Sequence, residues 1–233
     1  MGSMRLRVLT SAVLSGPAAV AALVLVAGSA SAAQSPAGLL AASLAAGKAQ
    51  GSVHYVARAR FGAEAVTITG DAALDRGRQQ IAFTKSGQTG HATVLVVNNT
   101  AFIKGDAFTL TNYMRIPATL ANRWLSLAHT TSGFKTVAEA VRLGSTLGEL
   151  KMVAPLQFVP GHSIAGTRTA AIRGKEPQGG VAVFATLYVR AGGLPLPVEQ
   201  VSTESSGATD TVTFNRWKES VTVVAPSRAT PIH

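Results

Sequence analysis

Among the residues able to do chemistry, GHSIA at 161–165 comes nearest to a catalytic signature. It approximates the G-x-S-x-G turn that exposes a nucleophilic serine between a strand and a helix, with an acid and then a histidine downstream. Here Ser163 opens an alternating segment, and the only later histidine is the terminal His233, so the motif reads as a turn into a strand. His54, His91, His129, His162 and His233 show no H-x-x-x-H spacing and no neighbouring carboxylate cluster, so they make a metal site only if they converge in space. Gly174-Lys175 lacks the upstream glycine of a phosphate-binding loop and reads as a hairpin turn. Asp71 and Asp75 are a possible carboxylate pair, but both fall near turns, where solvent exposure is expected. Trp124 reads as a core anchor, and Asn98-Asn99-Thr100 as a hairpin turn in the form of a glycosylation sequon. The chain has no cysteine, which excludes disulfides, thiol catalysis and cysteine-ligated zinc. No catalytic residue, metal site or cofactor is predicted, and the chain does not read as an enzyme.

The first 32 residues carry a different signal. Arg5 and Arg7 precede an apolar run at 8–27, and Ala30-Ser31-Ala32 supplies the small-residue cleavage pattern of a secretory signal peptide. Cleavage near Ala32 leaves one domain at 33–233, long enough for a sizeable core. A retained membrane anchor is the alternative, since the apolar run approaches spanning length. The full chain has a net charge of +10; without Arg5 and Arg7, 19 basic residues face 11 acidic ones, or +8. In a secreted or cell-envelope protein this balance points to an anionic membrane surface or polymer, or to a plain solvated surface. The basic residues are scattered singly, which argues against nucleic acid.

The elements that must position any site follow from periodicity. Ser35-Pro36 caps and opens a helix to about residue 48, with Leu39, Leu40 and Leu44 as its apolar stripe. From 53 to 104 the period is two: Val53, Tyr55, Ala57, Ala59 and Phe61 alternate with His54, Arg58 and Arg60, and four further strands follow as a meander. Asp106 and Pro117 start short turns. The clearest helical stretch is 134–152, where Phe134, Val137, Ala138 and Val141 share a face and Leu143, Leu147 and Leu150 continue it beyond Gly144. Thr136 with Glu139, and Thr146 with Glu149, have capping-box spacing. Strands at 163–173, 181–190, 194–205 and 209–216 come next, then a short one at 221–224. Pro195 and Pro197 predict an edge position or an irregular start for the third of these. The fold class is α+β: a single strongly curved antiparallel sheet, a half-barrel, with helices covering its concave face.

AFIKGDAF at 101–108, NRWLSLA at 122–128, LGSTLGEL at 143–150 and the late block IAGTRTAAIRG…VAVFATLYVRAGGLPLPVEQV, in that order, resemble the actinobacterial envelope lipoproteins of the LprG/LppX type. That family is related in fold to the LolA and LolB carriers, and the resemblance runs from about 38 to 226. It implies a half-barrel closed by helices over a hydrophobic cavity, and an activity of binding acylated lipids or glycolipids and moving them within the envelope. The family's lipidated cysteine is absent here, which implies a freely diffusing or otherwise tethered version.

The apolar supply is rich in Ala, Val and Leu, with 6% aromatic residues to fill a curved sheet. A concave face lined by small side chains leaves volume that costs stability unless a ligand fills it. The candidate lid residues are Phe134, Val137, Val141, Leu147 and Leu150; the candidate cavity residues are Tyr55, Phe83, Val94, Val96 and Leu187. As a lid, the helical stretch turns Val137 and Val141 toward acyl-sized space. As a packed plug it makes the domain an envelope interaction or regulatory module with no lipid ligand.

Overall fold

The computed structural model describes residues 35–176, 183–204 and 207–232. The expected signal peptide at 1–32, the start of the strand expected from 181, and His233 lie outside the described residues. Helix α1 (Pro36–Ala49) is capped by Ser35, whose Oγ accepts the Gly38 amide at 3.1 Å, and it buries Leu39 and Leu40. The meander follows as β1 (Ser52–Phe61), β2 (Glu64–Ala73), β3 (Arg76–Lys85), β4 (Gln88–Val97) and β5 (Thr100–Gly105), each antiparallel to the one before it. A short helix α2 (Ala107–Thr109), capped by Asp106, runs into a wide turn at Leu110–Met114 that presents Tyr113. Strand β6 (Leu125–Ala128) then pairs with β5. Helices α3 (Ser132–Glu139) and α4 (Leu143–Gly148) form the inserted pair.

The second half supplies β7 (Val153–Val159), β8 (Ser163–Ile164), β9 (Thr167–Lys175), β10 (Val183–Arg190), β11 (Pro197–Glu204), β12 (Thr209–Asn215) and β13 (Thr230–Pro231). Among the described residues these make one open sheet in the order β13-β6-β5-β4-β3-β2-β1-β12-β11-β10-β9-β7, with β8 beside β9. All pairings are antiparallel except β13 with β6. The half-barrel expected from the sequence is therefore the architecture found. Pairing of β1 with β12 joins the two halves, because the alternating apolar face of each strand must meet the same interior.

Side chains on the concave face form two core clusters. One holds α1, α4 and the inner faces of β1, β9, β10 and β12, including Tyr55, Leu147, Ile172, Leu187 and Phe214. The other holds α3 and the inner faces of β2–β6, including Ile81, Phe83, Val94, Ile103 and Val141. Ile68 on β2 packs against both and marks the seam.

Of the two expectations for β11, the irregular start is found, with Pro197 opposite Val189 where the β10–β11 register shifts, while the strand is interior, between β10 and β12. Other expectations are corrected. No strand forms at 221–224; the tail strand is β13, held by bonds to Trp124 and Ser126 carbonyls. Gly174-Lys175 lies in β9, not in a turn, and a Cβ at Gly174 would run into Leu156. Neither capping box forms, since Thr131 and Arg142 occupy the N-cap positions of α3 and α4 without side-chain caps.

Candidate functional site

The junction between α3 and α4 is seated on the concave face by glycines. At Gly70 on β2 the absent Cβ leaves room for the Tyr55 ring from β1, its direct cross-strand neighbour. At Gly77 on β3 a Cβ would overlap the Val141 carbonyl and side chain. Tyr55 and Gln79 then reach the same atom: Gln79 Nε2 donates to the Ala140 carbonyl at 2.5 Å, and the Tyr55 hydroxyl donates to it at 3.4 Å. Gln79 Nε2 also meets Tyr55 Oη at 2.5 Å. Burial pushes the Tyr55 phenol up, so it stays protonated and able to donate. Arg142 Nη2 adds a bond to the Asn98 carbonyl at 2.8 Å, and its guanidinium lies 5.6 Å from the centre of the Phe134 ring. Residues 140–142 are thus latched to three strands or their turns.

A cavity of about 170 Å³ opens on the seam between the clusters, toward the end of the half-barrel that carries the β1–β2 and β11–β12 connections. Its floor is apolar: Ala57, Ala59 and Phe61 from β1, Val66 and Ile68 from β2, with Val183 and Tyr113 at the sides. Its other wall is polar: Glu176, Ser202, Glu204, Thr209 and Asp210. Ser202 Oγ donates to Glu176 Oε1 at 2.5 Å, and Gln200 Nε2 donates to the same oxygen at 3.3 Å. Burial, helped by the Asp210 charge, pushes the Tyr113 phenol up to about 12.

The sequence-predicted residues divide between the two clusters. Tyr55, Leu147, Leu150 and Leu187 belong to the α1 side; Phe83, Val94, Val96, Phe134 and Val141 belong to the α3 side, with Val137 half-buried beside them. None of the ten borders the seam cavity. Where the lid expectation turned Val141 toward open space, it is wholly buried on the Gly77 seat. The polar wall was not foreseen. Its signal was present in VEQVSTE, where Gln200 and Ser202 occupy inward positions of an alternating strand. Asp71 also departs from expectation: it is 16% exposed, bonded to His54 Nδ1 at 2.7 Å and Arg78 Nε at 2.6 Å on the convex face. Ser163 lies in the β8–β9 hairpin, and among the described residues no group of three metal-binding side chains converges.

In comparison with solved structures, the chain is similar to LprF from Mycobacterium bovis, with a TM-score of 0.55 and 17% identity over 82% of this chain and 96% of that one. It is likewise similar to lipoprotein LppX from Mycobacterium tuberculosis, with a TM-score of 0.53 and 19% identity over 82% of this chain and 100% of the other. The chain has the LprG/LppX-type fold. No protein-family model and no curated protein matches it. On the convex side of this LppX-type half-barrel, beside the cavity end, Val153, Lys175 and Phe184 share one row across β7, β9 and β10. Val153 is 44% and Phe184 40% exposed. Arg173 and Lys175 place their charges 5.2 and 5.9 Å from the Phe184 ring centre.

Proposed function

We propose that this protein is an exported, non-enzymatic carrier that binds acylated lipids or glycolipids between the α3–α4 pair and the concave sheet, and moves them within the cell envelope. The observation that carries this reading is the seam cavity, with an apolar floor and a polar wall; the helical pair elsewhere on the concave face is attached by side chains rather than strand pairing. The fold shared with two mycobacterial lipoproteins supports it. At about 170 Å³ the cavity is smaller than the roughly 300–1,000 Å³ of clefts that bury a drug-sized ligand. An acyl chain therefore enters by displacing Phe134, Val137, Val141, Leu147 and Leu150 from the sheet, so that Tyr55, Phe83, Val94, Val96 and Leu187 become its wall. Each buried CH₂ is worth about 0.8 kcal/mol, so a sixteen-carbon chain gains roughly 12 kcal/mol over water, in the carrier as in the bilayer. Exchange between the two is then close to balanced.

In the same reading, residues 1–32 direct export and are removed, leaving 33–233 as one lipid-binding domain. The exposed row of Val153 and Phe184, flanked by Arg173 and Lys175, makes the peripheral contact with an anionic membrane surface. Native mass spectrometry of protein purified from its own host, followed by lipid extraction, tests the carrier. A bound acylated species is expected. The burial of Val141 on Gly77 favours a second reading, an interaction domain with a filled core. Ligand-free protein that takes up no acyl probe would establish that alternative.

A further inference from the structure

Strand β1 sits in the middle of the sheet and has two unlike faces. Val53 and Tyr55 are buried in the core, and Ala57, Ala59 and Phe61 line the seam cavity. Alternation therefore turns Val56, Arg58 and Arg60 to the convex side, where both arginines are exposed. Register fixes their neighbours there. Arg58 lies between Thr67 of β2 and Thr211 of β12, Arg60 between Ala65 and Thr209, and Val56 between Thr69 and Thr213. Two cations about 7 Å apart along the strand thus stand among the hydroxyls of flanking threonines. Neither arginine has an ion-pair partner among the described residues. The carboxylates of β2 and β12 are placed elsewhere: Asp71 holds His54 and Arg78, Glu64 holds Lys85, and Asp210 lines the cavity on the opposite face. An oxyanion arriving at these guanidiniums displaces no internal partner, and each planar fork can grip it through two parallel hydrogen bonds.

We propose that the convex face of β2, β1 and β12 is a binding site for an anionic polysaccharide. The acid groups of the glycan pair with Arg58 and Arg60, and its hydroxyls exchange hydrogen bonds with Thr67, Thr69, Thr209, Thr211 and Thr213. A bilayer fits this face less well. Its apolar side chains are Val56 and Ala65, too short to insert among acyl chains, and β12 and β11 separate it from Phe184 on β10. The curvature of the half-barrel also turns the two places in different directions, so a flat surface meeting one leaves the other, whereas a flexible chain follows the curve. The site stands apart from the carrier reading, since lipid uptake on the concave side neither needs it nor obstructs it. It holds the protein in a charged glycan layer with its interior face free.

The test titrates the purified protein at low salt with polygalacturonate, phosphomannan, uncharged dextran and polyglutamate, which carries charge without hydroxyls. Polygalacturonate, phosphomannan or both should bind at least tenfold more tightly than dextran and about threefold more tightly than polyglutamate, and added salt should weaken them. The better of the two identifies carboxylate or phosphodiester as the acid. R58Q/R60Q should lose at least tenfold in glycan affinity and flatten its salt dependence, with partitioning to phosphatidylglycerol vesicles unchanged. T209V/T211V should erase the advantage over polyglutamate. Failure of both anionic glycans to bind the parent overturns the inference, and polyglutamate binding as tightly as they do reduces it to plain charge attraction. Glycan affinity unchanged in an R58Q/R60Q protein with the parental melting curve removes the site from this face. Vesicle binding lost in that variant, with no glycan bound by the parent, gives the face to the membrane instead. The parent comparison and its salt series need no variant to fold.

Discussion

Replacing Gln79 with leucine removes the one side chain that reaches both Tyr55 Oη and the Ala140 carbonyl, and leaves that carbonyl with only the longer bond from Tyr55. The expected cost is about 1–3 kcal/mol, the usual price of stranding a buried acceptor. Amide exchange across 134–150 should accelerate more than in the meander, because the latch joins the helical cover to the sheet. Exchange that rises evenly over the whole chain would show that Gln79 supports the core and not the cover. Asp71 gives a second residue-scale test. Burial works against its ionisation, but the His54 and Arg78 hydrogen bonds outweigh it and hold the carboxyl below its ordinary range. A depressed folded-state value contributes stability above the unfolded value, about 3.9, and loses it as pH falls through the folded one. Melting curves between pH 7 and pH 2 should therefore show an acid-side loss that is smaller in D71N, with the difference between the two proteins vanishing at the acid end. Sequence reasoning put Asp71 near a turn and exposed. In fact β2 runs on to Ala73, which sets Asp71 opposite His54 and Arg78 on the convex face. That juxtaposition depends on register across three strands, which local composition does not contain.

At the scale of elements, the decisive contact is Val141 on Gly77. G77A places a methyl group into the Val141 carbonyl and side chain, and V141W overfills the same seat. Each should lower stability by about 1–3 kcal/mol in chemical denaturation of the ligand-free protein, as overpacking does. A V141W protein as stable as its parent would mean that the junction lifts from the sheet at little cost. The five-strand meander, α1 with its Ser35 cap, and the helical pair were legible because each rests on local periodicity or a single cap. Strands β6 and β7 were not. LSLA at 125–128 is too short to show alternation, and VAPLQFV at 153–159 carries Pro155 and is mostly exposed. Both exist because partners distant in sequence, β5 and β9, supply their hydrogen bonds. The cavity was illegible for a related reason. Its walls come from β1, β2, the α2 turn and the connections around β9–β12, and only the closing pair β1–β12 brings them together.

At the cavity end of the whole molecule, basic side chains flank Phe184 on the convex face, while carboxylates are among the residues that line the cavity. If the convex face is the docking surface, reversing Arg173 and Lys175 to glutamate should weaken binding to anionic vesicles by at least thirtyfold at low salt. That estimate takes roughly 1 kcal/mol per cation near the membrane. Vesicle sedimentation measures this, and unaltered partitioning would move the contact elsewhere. The open sheet has one further consequence. Unlike a closed barrel, it ends, among the described residues, in two strands, β7 and β13, whose outward backbone groups are templates for another chain. Each contains a proline, Pro155 and Pro231, which cannot donate to an incoming strand, and β13 is only Thr230–Pro231 long. The sheet that never closes thus has both of its described borders interrupted, and copies meeting edge to edge there find no continuous ladder to extend into a fibre.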